Sequence, residues 1–166
     1  MDLISCCRNR NIKLAWKLLD EPDININKQN MDGTTALMWS CINSLTDIAF
    51  KILSFPNIDV NIKNNYGYTA LIFACSRSNE DVALKILAKD NVDYYAKVFY
   101  NTDTAIFHAK YYNMTNVLNK MGRIAQQQII SDNEVILLLG RVIQVDGMPV
   151  YDVIIEHILP KLIVSL

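Results

Sequence analysis

Asn61-Ile62-Lys63-Asn64-Asn65-Tyr66-Gly67-Tyr68-Thr69-Ala70-Leu71-Ile72-Phe73-Ala74-Cys75 puts a turn signal, a helix start and an apolar helix face into one short span. The same order appears upstream as Asn27-Lys28-Gln29-Asn30-Met31-Asp32-Gly33-Thr34-Thr35-Ala36-Leu37-Met38-Trp39-Ser40-Cys41, with Gly, Thr, Ala, Leu and Cys at matching offsets. Gly33 and Gly67 are 34 residues apart, and the same shift relates Leu19 to Leu53 and Leu53 to Leu87. A fixed period of this size is the mark of a solenoid in which one supersecondary unit is repeated and each copy packs on its neighbours.

The repeated unit resembles the ankyrin repeat. That family's G-x-T-P-L-H-x-A reads here as Gly33-Thr34-Thr35-Ala36-Leu37-Met38-Trp39-Ser40 and as Gly67-Tyr68-Thr69-Ala70-Leu71-Ile72-Phe73-Ala74. A third copy, Thr104-Ala105-Ile106-Phe107-His108-Ala109, follows at a shift of 35, with Thr102 where the Gly belongs. Ala replaces Pro and an apolar residue replaces His in every copy. The resemblance implies an all-α solenoid of helix-turn-helix units with β-hairpin tips, and a role in binding other proteins. The expected organisation is an amino-terminal cap at 1–22, repeats at about 23–56, 57–90 and 91–122, and a helical carboxy-terminal cap at 123–166.

Hydrophobic residues make up 51 % of the 166-residue chain and charged residues 20 %, which describes an ordered, folded protein. A formal net charge of −1 provides no field to gather nucleic acid or an anionic membrane, so neither is expected as a partner. Cys7, Cys41 and Cys75 are one period of 34 apart and fill one slot, where the ankyrin pattern places a small buried residue. They read as small hydrophobes in a reducing compartment, not as metal ligands or disulfides. The apolar run at the amino terminus is too short for a signal peptide, and no apolar stretch reaches membrane-spanning length, so a cytoplasmic location is expected.

Taken in order, Leu3 to Leu19 reads as a helix pair without its preceding hairpin, because Met1 falls where the first helix should begin. Three connectors follow the second helices: Asp20 to Asn27, Ser54 to Asn61 and Ala88 to Tyr95. Pro22 and Pro56 end the helices before them, since Pro cannot extend a helix and disfavours helical geometry in its predecessor. Hairpin tips are expected at Asn27 to Thr34 and Asn61 to Tyr68, with Asn30 and Asn64 bonding back to the turn and Gly33 and Gly67 supplying its left-handed backbone. Thr35 and Thr69 read as helix N-caps. First helices are expected at Ala36 to Ile42 and Ala70 to Arg77, second helices at Asp47 to Ser54 and Asp81 to Ala88. The third unit decays: its tip has no Gly, and its second helix, Thr115 to Met121, ends near Gly122. Beyond it, Ile124 to Ile130 reads as helical, Ser131-Asp132-Asn133-Glu134 as a capping box opening a further helix at Val135, and Tyr151 to Leu159 as another.

No constellation suits catalysis: His108 and His157 lie in different segments without a matching nucleophile, and neither a Gly-rich phosphate loop nor an HExxH zinc pattern occurs, so no cofactor or metal is expected. The resemblance implies partner contacts at the hairpin tips and the exposed face of the first helix. By register these are Arg8 and Asn9 in the cap; Met31, Asp32, Thr34, Ile42 and Asn43 in the first full repeat; Asn65, Tyr66, Tyr68, Ser76 and Arg77 in the second; and Tyr100, Asp103, Tyr111 and Tyr112 in the third. Tyr and Arg are frequent interface anchors, and Tyr66, Tyr68, Arg77 and Tyr112 form the expected centre. The Asn-, Ile- and Lys-rich composition is similar in style to ankyrin proteins of the giant DNA viruses of amoebae, which would make the partner a host or viral protein. The alternative reading is an adaptor whose apolar carboxy-terminal helices recruit a second protein, such as a ubiquitin-ligase component, or drive a monomer to dimerise. Met148 to Leu159 looks faintly like an F-box-type helix.

Overall fold

A computed structural model describes residues 1–90, 92–99 and 104–138, with the side chains of the last helix described as far as 128. It divides into two compact units, Met1–Ile124 and Ala125–Leu166. The first unit carries the repeats. Its helices are α1 (Leu3–Arg8), α2 (Ile12–Leu19), α3 (Ala36–Ile42), α4 (Thr46–Leu53), α5 (Ala70–Ser76), α6 (Glu80–Ile86), α7 (Ala105–Tyr111) and the start of α8 (Thr115–Leu138). The helices α1, α3, α5 and α7 pack side by side in one row, and α2, α4 and α6 form a second row behind the first three of them. This is the all-α repeat solenoid expected from the period.

Helices of six to eight residues are too short to be stable alone, so capping and stacking must hold them. The Thr hydroxyls at 35, 69 and 104 accept the backbone N–H of Met38, Ile72 and Phe107 at 3.2, 3.3 and 3.0 Å, which closes the first turn of α3, α5 and α7. In α1 the same duty falls to Asp2, whose carboxylate accepts from Ser5 N at 3.0 Å; that bond, with help from Lys28, holds its pKa down at about 2. Each first-row helix then turns into its partner through a left-handed residue: Arg10, Ser44, Ser78 and Asn113, with φ of 58, 54, 53 and 53°. Side chains resist this region by about 1–2 kcal/mol, so the tight turn carries strain that packing offsets.

Stacking supplies the rest. Leu37, Leu71, Ile48, Ile52, Val82 and Ile86 are buried, as are Cys7, Cys41 and Cys75 in their common slot. Burial pushes the thiols up, Cys75 to about 12, so they remain neutral and act as small apolar groups. The described part of the third copy follows the shift of 35 within its helix: Thr69 corresponds to Thr104, Arg77 to Tyr112 and Ser78 to Asn113. Its tip, however, keeps the shift of 34, because Phe99 N donates to Tyr66 O at 3.1 Å just as Asn65 N donates to Asp32 O at 2.9 Å. The extra residue therefore enters between Phe99 and Thr104.

Three expectations need correction. The tips are turns and not paired strands; among the described residues only an isolated antiparallel bridge, Gln29 to Thr35, stands where a hairpin was expected. The second helices start one residue early, at Thr46 and Glu80, and Arg77 is a C-cap. The helix that begins at Thr115 does not stop at Gly122, and no helix starts at Ser131, because α8 runs unbroken to Leu138. A glycine costs a helix interior only about 1 kcal/mol, and the Arg, Ala and Gln residues after Gly122 are good helix formers. The segments expected as helices beyond 138, Met148 to Leu159 included, lie outside the described residues.

Candidate protein-binding face

The tips are rigid because each Asn side chain rebuilds the turn. Asn64 Oδ1 accepts from Tyr66 N at 3.0 Å and Tyr68 N at 2.9 Å, and Asn30 Oδ1 accepts from Asp32 N at 3.0 Å and Thr34 N at 2.8 Å. Gly33 and Gly67, at φ 72 and 88°, sit where the next tip crosses; a Cβ on Gly67 would meet Lys97 O at 2.9 Å. That close approach lets Asn65 donate its backbone and side-chain N–H to Asp32 O and Met31 O, at 2.9 and 3.0 Å. Behind the tips the connectors are tied likewise: Asn27 Oδ1 accepts from Asp59 N at 2.9 Å and Asn61 Oδ1 from Asp93 N at 2.8 Å.

Large side chains project from this fixed backbone. At the tips Met31 is 99 % exposed, Tyr66 52 % and Phe99 65 %; at the end of α7 Tyr111 is 71 % and Tyr112 44 %. The other expected contacts are placed unequally. Arg8, Asn9, Asp32, Asn65 and Arg77 are exposed; Ile42, Tyr68 and Ser76 are half-buried; Thr34 is buried. Asn43 is spent inside the protein, its amide donating to Cys7 O at 2.8 Å and Arg8 O at 3.0 Å. Ser76 Oγ donates to Phe73 O at 2.9 Å. Tyr100 and Asp103 lie outside the described residues.

Sequence reasoning passed over one column. Trp39, Phe73 and His108 each stand four residues after a Thr N-cap, half-buried on successive first-row helices. The Arg8 guanidinium lies 5.4 Å over the Trp39 ring, Tyr68 stacks on Phe73 at 5.0 Å, and His108 meets Phe107 edge-on at 5.4 Å. The signal was an aromatic ring at constant offset from the cap, and it was readable in the sequence.

Among the described residues no group of His, Cys, Asp and Glu is arranged to hold a metal, and no helix is long and apolar enough to cross a membrane. A cavity of about 140 Å³ lies between α1, α2 and the first connector, lined by Leu3, Ile4, Leu18, Ile24 and Ile26 among others. It is below the size at which pockets enclose drug-sized ligands.

No curated protein matches the sequence. Among solved structures, the chain is similar to one in the Bd0816 predatory endopeptidase from Bdellovibrio bacteriovorus in complex with immunity protein Bd3460. The match has a TM-score of 0.63 and 24 % identity, and it covers 73 % of this chain and 62 % of the other, so this chain spans under two thirds of that one's length. The likeness shows a shared fold. The family profile for ankyrin repeats matches in 3 copies over residues 3–98 and 44–133, and with the capped helix pairs and interlocked tips described above, this chain belongs to the ankyrin-repeat family.

Proposed function

We propose that this chain is a non-enzymatic interaction module that holds a protein partner against its turn-built tips and the exposed face of its first-row helices. Ankyrin repeats generally mediate protein–protein interaction. The observation that carries the reading here is the exposure of Met31, Tyr66 and Phe99 on tips tied to one another by backbone and Asn65 hydrogen bonds, with Tyr111 and Tyr112 exposed at the end of α7. Rigid aromatic groups lose little freedom on binding, and fixed backbone removes the cost of ordering a loop. The solved structure that shares the fold is of a protein–protein complex, which supports the same reading. The Asn-, Ile- and Lys-rich composition, similar in style to that of viral ankyrin proteins, extends the reading to a host or viral protein met in the cytoplasm.

The centre of the face is taken to be Tyr66, Tyr68, Arg77 and Tyr112. Affinity capture from cell extract, read by mass spectrometry, tests this with the wild-type chain beside a variant in which all four are Ala. Circular dichroism checks that the variant keeps its helices. The partners should be lost from the variant, and recovery of the same set at the same yield would remove the assignment.

A further inference from the structure

We infer that the segment held by this face is acidic: an extended stretch of partner protein with two carboxylates about three to six residues apart and an apolar or aromatic residue between them. The inference deepens the reading proposed above and rests on it. Arg8 and Arg77 are both exposed on the first-row face, and among the described residues neither guanidinium meets a carboxylate. The ion pairs of the described residues, Lys28 with Asp2, Lys51 with Asp20 and Lys63 with Asp93, all lie elsewhere. Arg8 lays its face on the Trp39 ring, and among the described residues neither guanidinium donates a hydrogen bond, so both keep their N–H donors available. Asp32 is the exposed acid of the described tips. The chain as a whole is at −1, so this cationic character is local to the face.

Beneath Arg8 the Trp39 ring is half-buried and its Nε1 is shielded from solvent, so what it adds to the face is apolar surface and not a donor. Between the two arginines run Trp39, Ile42 and Phe73, an apolar floor that suits an aliphatic or aromatic side chain.

Spacing follows from the stack. The helices α1, α3 and α5 are successive neighbours, and packed helices stand about 8–10 Å apart. Because Arg8 leans over Trp39 on α3, its charge lies roughly 10–20 Å from that of Arg77, which an extended chain at about 3.3 Å per residue spans in about three to six residues.

The test is a random linear library of about twelve-residue peptides, panned against the full chain and counter-panned against an Arg8→Glu/Arg77→Glu variant. Both arginines are exposed, so the variant should fold as the wild type does, and circular dichroism verifies this. The wild type should enrich peptides with paired Asp or Glu around an apolar residue. The best of these should weaken about 10–100-fold on each single Arg→Ala change, the scale of one charge-assisted bond. Enrichment of neutral or basic peptides that a Tyr66→Ala/Tyr112→Ala variant no longer holds would overturn the acidic assignment and leave the face as a binding surface. Peptides indifferent to all four positions, or no enrichment at all, would remove both. Preferential retention of single-stranded oligouridylate by the same arginines would also overturn it, since the ligand would then be nucleic acid.

Discussion

Replacing Asn64 by Ala tests the claim that this side chain, and not the turn backbone alone, sets the tip. The amide oxygen accepts two backbone N–H groups, from Tyr66 at 3.0 Å and Tyr68 at 2.9 Å, and the side chain is buried, with the residue at 6 % exposure. Each hydrogen bond contributes about 1 kcal/mol net, and a donor left partly shielded from water adds to the loss. Asn64→Ala should therefore cost about 2–3 kcal/mol. Asn30 makes the same two bonds, at 3.0 and 2.8 Å, but one lies in the open and the residue is only half-buried, so water can replace it. Asn30→Ala should cost about 1 kcal/mol. Asn64→Asp retains both acceptor bonds and should stay closer to wild type than either. Urea denaturation followed by far-UV circular dichroism measures all three, because a shift in midpoint at constant slope reports stability. Equal losses at positions 30 and 64, or an Asp variant as weak as the Ala variant, would refute the account, since the tip would then be held by something other than the side-chain acceptor.

Two further outcomes follow from the same geometry. Ser78→Gly, at φ 53°, should raise stability by about 0.5–1 kcal/mol, because relief of left-handed strain exceeds the added freedom of the unfolded chain; an unchanged or lowered melting temperature would count against strain at that turn. The Cys75 thiol is pushed by burial from 9.0 to about 12, so the unfolded state releases its proton first, and stability should be intact below pH 9 and decline as pH rises towards 12. Denaturation midpoints at neutral and alkaline pH, with Cys75→Ala beside the wild type, check this: the variant should lose less stability on the same alkaline step.

Much of the fold was legible because independent residues repeat at one shift. Gly33 and Gly67, Thr35 and Thr69, and Leu37 and Leu71 each do a different physical job, and they agree on the period of 34. What was hidden is local chemistry that carries no signal of its own. Ser44 and Ser78 adopt the left-handed turn although a serine in a loop does not advertise it, and only helices packed on either side impose it. Ser131 shows the opposite failure. Its capping-box spelling is a true local preference, but a helix already propagating from Thr115 gains a bond per residue and continues through the signal.

The binding face was legible by register and illegible by accessibility. Counting from the repeat placed Tyr66, Arg77, Tyr111 and Tyr112 on the surface, yet the same count put Thr34 and Asn43 there, and the first is buried while the second is committed to the carbonyls of Cys7 and Arg8. Period alone cannot separate these cases, because a polar side chain in a surface slot faces either a partner or its own neighbour repeat, and both choices leave the sequence unchanged. Aromatic rings behave differently. Trp39 and Phe73 recur at a constant offset from their caps although the fold needs no ring there, and each is covered in part by a side chain, Arg8 or Tyr68, that the same face supplies. A recurring group that the turn, the cap and the core all leave unexplained is the residue type to follow when a repeat is read for its partner.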